Sequence, residues 1–125
     1  MPYEIKVEDH FAAAHALRGY GGACERRHGH NFKVTAVVTA AALDEVGMSL
    51  DFKEVARFLR EVLETLDHQD LNELAAFRNT NATAENIATY IYSELAPRFK
   101  SPEVRIARIS VEESPKYAAS YLPPD

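Results

Sequence analysis

The stretch HGHNFKVTAVVT, residues 28–39, predicts a β-strand that begins with two histidines. β-Branched residues dominate its second half, and such residues favour the pleated conformation of a strand. Because side chains alternate between the two faces of a strand, His28 and His30 share one face. The same face then continues with apolar side chains, namely Phe32, Val34, Ala36 and Val38. The two imidazoles are therefore expected at the start of a strand, beside an apolar layer.

A third histidine and the single cysteine of the chain lie just upstream of this strand. His15 ends the run FAAAH, residues 11–15, and Cys24 precedes His28 by four positions. Histidine is the commonest metal ligand, and three protein ligands with an open fourth position are typical of catalytic zinc sites. We therefore predict a metal site at His15, His28 and His30. Cys24 is either a fourth ligand that closes a structural site or a free thiol that acts as a base.

Two further elements are candidates for acid–base chemistry or substrate binding. Asp67 directly precedes His68, and an aspartate can orient a neighbouring imidazole and raise its basicity. Taken alone, the pair is better explained as a capping aspartate and a partly exposed histidine. Glu112 shares one strand face with Arg108 and Ser110, where a glutamate is usually only solvated. His10 is expected to be an ordinary surface residue.

Length and charge limit the classes of function. The 125 residues are enough for one domain, 1–125, with a real core. A net charge of −5 argues against a nucleic-acid partner or an anionic membrane surface. A lone cysteine forms no internal disulfide, and no apolar run approaches the ~20 residues of a membrane span. We see no signal peptide, and we expect a soluble, cytoplasmic protein.

Hydrophobic periodicity predicts the order β-β-α-α-β-β. Residues 3–9 and about 30–42 alternate as strands, residues 52–66 and 84–95 have helical spacing, and residues 104–113 and 116–122 form a final strand pair. Asp51 and Thr83 are the expected helix caps. This order suits an α+β fold, a four-stranded antiparallel sheet with both helices on one face. Such a sheet has open edges, which favour a homo-oligomer.

With these motifs in view, the chain resembles the 6-pyruvoyl-tetrahydropterin synthase superfamily. Within it, the chain is most similar to the bacterial 6-carboxy-5,6,7,8-tetrahydropterin synthase branch, which feeds queuosine and other 7-deazapurines. The resemblance covers nearly the whole chain, and the combination of motifs is highly specific. The motifs are FAAAH (11–15), CxxxHGHN (24–31), DF (51–52), LDHxxLN (66–72), NATAENIA (81–88) and VE (111–112).

The resemblance implies a T-fold that assembles into a barrel-shaped homo-oligomer (trimer, tetramer or hexamer) with active sites between subunits. It also implies one role for each candidate residue. His15, His28 and His30 would bind zinc (Zn2+), and Cys24 would abstract a proton. Asp67 and His68 would form an acid–base relay. Glu112 would bind the pterin ring, and Thr83 would lie near the pterin or serve only as a helix cap.

The implied reaction starts from 7,8-dihydroneopterin triphosphate and gives 6-carboxy-5,6,7,8-tetrahydropterin, acetaldehyde and triphosphate. Three residues separate Cys24 from His28, as in the carboxy branch, whereas the animal pyruvoyl enzymes have a longer insertion there. Ala82 stands where the family usually has proline, which removes no reactive group. The alternatives are a pyruvoyl-type or side-chain-cleaving enzyme on the same residues and, outside enzymes, a structural zinc-binding oligomer.

Overall fold

Residues 1–19 and 26–124, which the computed structural model describes, form five β-strands and two α-helices. In chain order, the elements are β1 (Tyr3–His15), β2 (His28–Ala40), α1 (Phe52–Leu63), β3 (Gln69–Asp70), α2 (Ala84–Leu95), β4 (Val104–Ser114) and β5 (Tyr117–Tyr121). The predicted α+β order of the main elements is confirmed.

The sheet has the strand order β3-β1-β2-β4-β5. The pairs β1–β2, β2–β4 and β4–β5 are antiparallel, as expected. The prediction of four strands is wrong by one, because β3 adds a short parallel pairing with β1 at Ala13 and Ala14. A strand of two residues carries no periodicity that a sequence could show. Its position follows from the turn after α1, where the backbone N–H of His68 donates to the Ala12 carbonyl.

Strand β1 runs beyond its predicted end and includes the whole FAAAH motif. Phe11, Ala13 and His15 alternate into the core, so the polar–apolar alternation continues although alanine hides it in the sequence. Phe11 lies opposite Phe32 of β2, and their rings stack with centroids 4.8 Å apart. The longer strand carries His15 to the end of the β1–β2 pair, opposite His28.

Both helices pack on the same face of the sheet, and both predicted caps are confirmed. The Asp51 side chain accepts from the Lys53 N–H, and the Thr83 side chain accepts from the Asn86 N–H. The apolar spacing over residues 52–66 predicts a buried stripe on α1, but two residues of that stripe are exposed, namely Phe52, which is 64% exposed, and Ala56. No helix among the described residues is long and apolar enough to cross a bilayer.

Candidate functional site

Three imidazoles meet at the end of the β1–β2 pair. His15 lies opposite His28, and His30 lies opposite Ala13, so all three side chains leave the same face of the sheet. Each residue offers a nitrogen that could bind a metal, and these ligand atoms lie within 4.8 Å of one another. The structure therefore brings together the three histidines that the spacing predicted as ligands.

The backbone fixes two of these rings so that Nε2 remains for a ligand. Nδ1 of His15 lies 2.7 Å from the carbonyl oxygen of Ala82, and Nδ1 of His28 lies 2.7 Å from that of Arg26. A carbonyl oxygen can only accept, so each Nδ1 carries the proton and each Nε2 carries a lone pair. Metal-binding histidines are usually oriented in this way, by a hydrogen bond from the ring nitrogen that does not bind the metal. The contact uses only the backbone carbonyl of Ala82, so a proline at this position, the residue expected there from the resemblance, would supply the same acceptor.

Two of the ligand atoms are buried without a hydrogen-bond partner among the described residues. They are Nε2 of His15 and Nε2 of His30. Burying a nitrogen removes its hydrogen bonds to water, and this costs free energy unless another group bonds to the nitrogen instead. A metal ion at the centre of the three rings would supply that bond, which makes the donor set a good fit to zinc.

Burial also sets the protonation state of His15. Desolvation lowers the pKa of this imidazole, and the charge of His28 acts in the same direction, whereas the Ala82 contact and Glu113 oppose the shift. The ring is 1% exposed and packs edge-on against Phe32. Because the neutral form of histidine is the one that binds a metal, this environment favours ligation.

Cys24 lies outside the described residues, so its predicted role as a base or fourth ligand stays a prediction. The chain on either side of this segment is tied to the rest of the fold. Asn81 exchanges hydrogen bonds with the backbone of Arg18, and Asn72 does so with that of Ala16. On the far side, Arg27 forms an ion pair with Asp70.

The Asp67–His68 pair lies at the outer edge of β1, apart from the three imidazoles. Asp67 Oδ1 accepts from the Ala12 N–H and lies 3.1 Å from Nδ1 of His68. His68 has a φ of 59°, a left-handed conformation that histidine adopts more readily than most residues. Its side chain is 83% exposed. The two residues of the predicted relay thus contact each other, but among the described residues neither of them contacts any of the three imidazoles.

The two neighbouring glutamates of β4 face opposite sides of the sheet. Glu112 lies opposite Lys33 of β2, whose ammonium also pairs with Glu8, so it belongs to the face away from the helices. Glu113 shares the face of the imidazoles, with its Oε2 3.7 Å from Nε2 of His30. Geometry therefore favours Glu113, rather than the predicted Glu112, as the carboxylate of the site.

Sequence reasoning could have found Glu113 by extending the alternation of β4. Ile109 and Val111 are fully buried on the helix side of the sheet, and Glu113 is the next residue in that alternation. Glu113 also borders two cavities, one of about 570 Å³ that His30 and Glu112 also line and one of about 220 Å³. The smaller one lies between the first turn of α2 and β5. Thr83 caps α2 beside this region, with its hydroxyl used by the Asn86 N–H at 3.1 Å.

Comparison with known proteins identifies the family and agrees with the fold. The sequence model of the 6-pyruvoyl tetrahydropterin synthase family matches residues 4–124. A relative from Archaeoglobus fulgidus, provisionally named 6-carboxy-5,6,7,8-tetrahydropterin synthase, is 38% identical over 109 residues, covering 87% of this chain and 88% of the relative. The Drosophila melanogaster 6-pyruvoyl tetrahydrobiopterin synthase is 33% identical over 99 residues, covering 78% of this chain and 58% of that protein.

A solved structure shows the same architecture. The Caenorhabditis elegans 6-pyruvoyl tetrahydropterin synthase superposes with a TM-score of 0.86 at 27% identity, covering 98% of this chain and 96% of that one. The T-fold expected from the motifs is therefore confirmed.

Proposed function

The chain belongs to the 6-pyruvoyl tetrahydropterin synthase family of pterin lyases, and we propose that it is a zinc-dependent 6-carboxy-5,6,7,8-tetrahydropterin synthase. Its substrate would be 7,8-dihydroneopterin triphosphate, and its products 6-carboxy-5,6,7,8-tetrahydropterin, acetaldehyde and triphosphate. We place the reaction in the cytoplasm, in the biosynthesis of queuosine and other 7-deazapurines. The observation that carries the proposal is the group of three imidazoles whose ligand atoms lie within 4.8 Å of one another.

Zinc suits this donor set better than magnesium or calcium, because imidazole nitrogen is a poor ligand for hard cations. His15, His28 and His30 would hold the ion and leave one position open for substrate. When bound, zinc would supply Lewis acidity to the vicinal hydroxyls of the substrate side chain, making its protons easier to remove. The His15 and His28 rings already point Nε2 away from their backbone acceptors, so little rearrangement is needed to bind the ion.

The chain's own groups would move the protons. The Cys24 thiolate is proposed as the base, because the sequence places it four positions before His28 and a nearby cation lowers the pKa of a thiol. His68 would carry the second proton. Asp67 would hold the His68 ring through Nδ1, at 3.1 Å, which leaves Nε2 for the substrate.

A carboxylate is needed to hold the pterin ring over the metal. The ring presents a planar pair of donors, its 2-amino group and an adjacent ring N–H, and a carboxylate accepts both in bidentate fashion. Glu113 is proposed for this role in place of Glu112, because it lies on the imidazole face, 3.7 Å from His30, and borders both cavities, whereas Glu112 borders only the larger one. Thr83 is proposed as a minor contact to the pterin, since its hydroxyl already caps α2.

We also propose that the active site is completed between subunits of a homo-oligomer (trimer, tetramer or hexamer). Among the described residues, no strand pairs with the outer edge of β1 over residues 3–11 or with the outer edge of β5. Open edges are commonly covered by another chain. The exposed His68 at the β1 edge would then serve the imidazoles of a neighbouring subunit.

The experiment is incubation of the zinc-loaded protein with 7,8-dihydroneopterin triphosphate, followed by mass spectrometry of the products and an acetaldehyde assay. A carboxy-tetrahydropterin with acetaldehyde is the expected result. A pyruvoyl product would keep the site and change the reaction, an alternative favoured by the pyruvoyl-type names among the relatives. Absence of turnover, with zinc retained and Cys24 inert to alkylation, would indicate a structural zinc protein.

A further inference from the structure

Arg60 is a long cation on α1 whose guanidinium reaches across to the edge of the sheet. Its Nη1 donates to Oδ1 of Asp9 at 3.3 Å and to the carbonyl oxygen of His10 at 3.1 Å. Both acceptors belong to β1, just before the alanines that lead to the metal ligand His15. One end of the guanidinium therefore ties α1 to the strand that carries the site.

The other end of the same guanidinium faces the predicted relay. Its Nη2 lies 3.5 Å from Oδ2 of Asp67, while Oδ1 of that carboxylate accepts from Ala12 and faces His68. The two carboxylate oxygens of Asp67 thus contact different partners. Nε and Nη2 of Arg60 are buried and form no hydrogen bond among the described residues, so the contact of Nη2 with Asp67 is an ion pair, and protein covers that side of the cation.

We propose that Arg60 is a positioning residue for the Asp67–His68 pair, holding one carboxylate oxygen so that the other stays on the Ala12 N–H and the His68 ring. The inference rests on the proposed function, in which that ring carries a proton. Without the guanidinium, the carboxylate can turn about its Cβ–Cγ bond and exchange its oxygens. His68 would then spend less time in the orientation that Asp67 imposes.

The charge of Arg60 supports the same role. The pKa of Asp67 is held below its ordinary value chiefly by the Ala12 N–H; burial opposes this shift, and the positive charges of His68 and Arg60 add to it by smaller amounts. The other charged groups around the guanidinium are Asp9 on β1 and Glu64 on α1. Removing the guanidinium should therefore leave Asp67 with a weaker preference for the ionised form.

The test compares Arg60→Gln and Arg60→Lys with a matched control, Arg57→Gln. Arg57 lies one turn earlier on α1, pairs with Glu61 and contacts neither Asp67 nor His68 in the described structure. We expect Arg60→Gln to lower kcat roughly tenfold with little change in KM, as for a misplaced catalytic group. The acid limb of the pH–rate profile should move to higher pH. Arg60→Lys keeps the charge but not the two-ended bridge, so it should recover part of kcat.

A second readout needs no turnover. The carboxyl carbon of Asp67, followed by NMR during an acid titration, should titrate at higher pH in Arg60→Gln and unchanged in Arg57→Gln. If the enzyme lacked pterin lyase activity, this titration would still decide whether Arg60 controls the pair. A normal Asp67 titration and a normal pH profile in Arg60→Gln, even with a lower melting temperature, would overturn the proposal and leave Arg60 as a packing residue. Should Arg60→Gln fail to fold, Arg60→Lys decides through kcat: a kcat equal to that of the parent would overturn the proposal, because the two-ended bridge would not be needed.

Discussion

His28 and Cys24 lie four positions apart, yet their removal is expected to affect the metal differently. His28→Ala removes one of three ligands and should lose zinc, whereas Cys24→Ala should keep zinc and lower turnover by roughly 10²–10⁴-fold, the usual contribution of a general base. Metal analysis after dialysis and steady-state kinetics provide the two measurements. Equal loss of zinc in both variants would make Cys24 a ligand.

Adjacent glutamates on opposite faces of β4 allow a paired test of substrate binding. Glu113→Gln should lower kcat/KM by roughly 10–100-fold, because it replaces a charged acceptor by a neutral one at a buried donor pair. Glu112→Gln should stay within about twofold of the parent, since it removes a partly exposed contact with Lys33. The reverse order of effects would restore Glu112 as the pterin anchor.

Asp67 gives the protein a defined dependence of stability on pH. Its pKa is lowered in the folded state from an ordinary value of 3.8, chiefly by the Ala12 N–H. The unfolded chain therefore binds more protons in acid, so this stabilisation is complete above the ordinary pKa and is lost as the pH falls through the folded pKa. Asp67→Asn should lower the free energy of unfolding at pH 7, and the difference should shrink below pH 3.8.

Urea unfolding of the zinc-free protein at several pH values measures this difference directly. A gap between parent and Asp67→Asn that stays constant from neutral to strongly acidic pH would show that the carboxylate charge is not what stabilises the fold.

At the scale of an element, α2 depends on one hydroxyl that also has a proposed place near the substrate. Thr83→Ala should lower the free energy of unfolding by about 1 kcal/mol, because the Asn86 N–H loses its acceptor. Thr83→Ser should restore it. Thr89→Ala, in the same helix, is the control, since its hydroxyl only bonds back to the Glu85 carbonyl. Thermal and urea unfolding measure both effects.

The same variants separate the two roles of Thr83. A rise in KM in Thr83→Ser, at full stability, would support contact with the pterin. A KM that follows stability alone would leave Thr83 as a cap.

Elements differ in how much of them the sequence could reveal. The helices were predicted because caps and apolar spacing are local signals, and both Asp51 and Thr83 cap as expected. The spacing predicts Phe52 and Ala56 on the buried stripe of α1, but both are exposed, because periodicity gives the spacing of a stripe and not which of its residues the sheet covers. Strand β3 was missed because two residues have no pattern of their own.

At the scale of the whole molecule, the exposed position of His68, apart from the three imidazoles, predicts that one subunit supplies the imidazoles and a neighbouring subunit supplies His68 to the same active site. Inactive His28→Ala and His68→Ala proteins should regain activity when they are unfolded and refolded together, because some mixed sites combine an intact metal centre with an intact relay. Each variant refolded alone is the control. Absence of recovery in mixed oligomers, with the mixing verified by mass, would place both halves of the site in one chain. A species of 14.0 kDa in solution would argue against the oligomer itself.

The sequence by itself determined that His28 and His30 lie together, because a strand puts residues two apart on one face and no tertiary information is needed for this. It also determined the helix caps, which depend on neighbours in the chain, and the order of the main elements. Only the tertiary structure showed that Glu113 lies 3.7 Å from His30, since the pairing of β2 with β4 brings these two distant parts of the chain together. It also showed that the Asp67–His68 pair lies at a sheet edge with Arg60 beside it, because that placement depends on how α1 packs against β1.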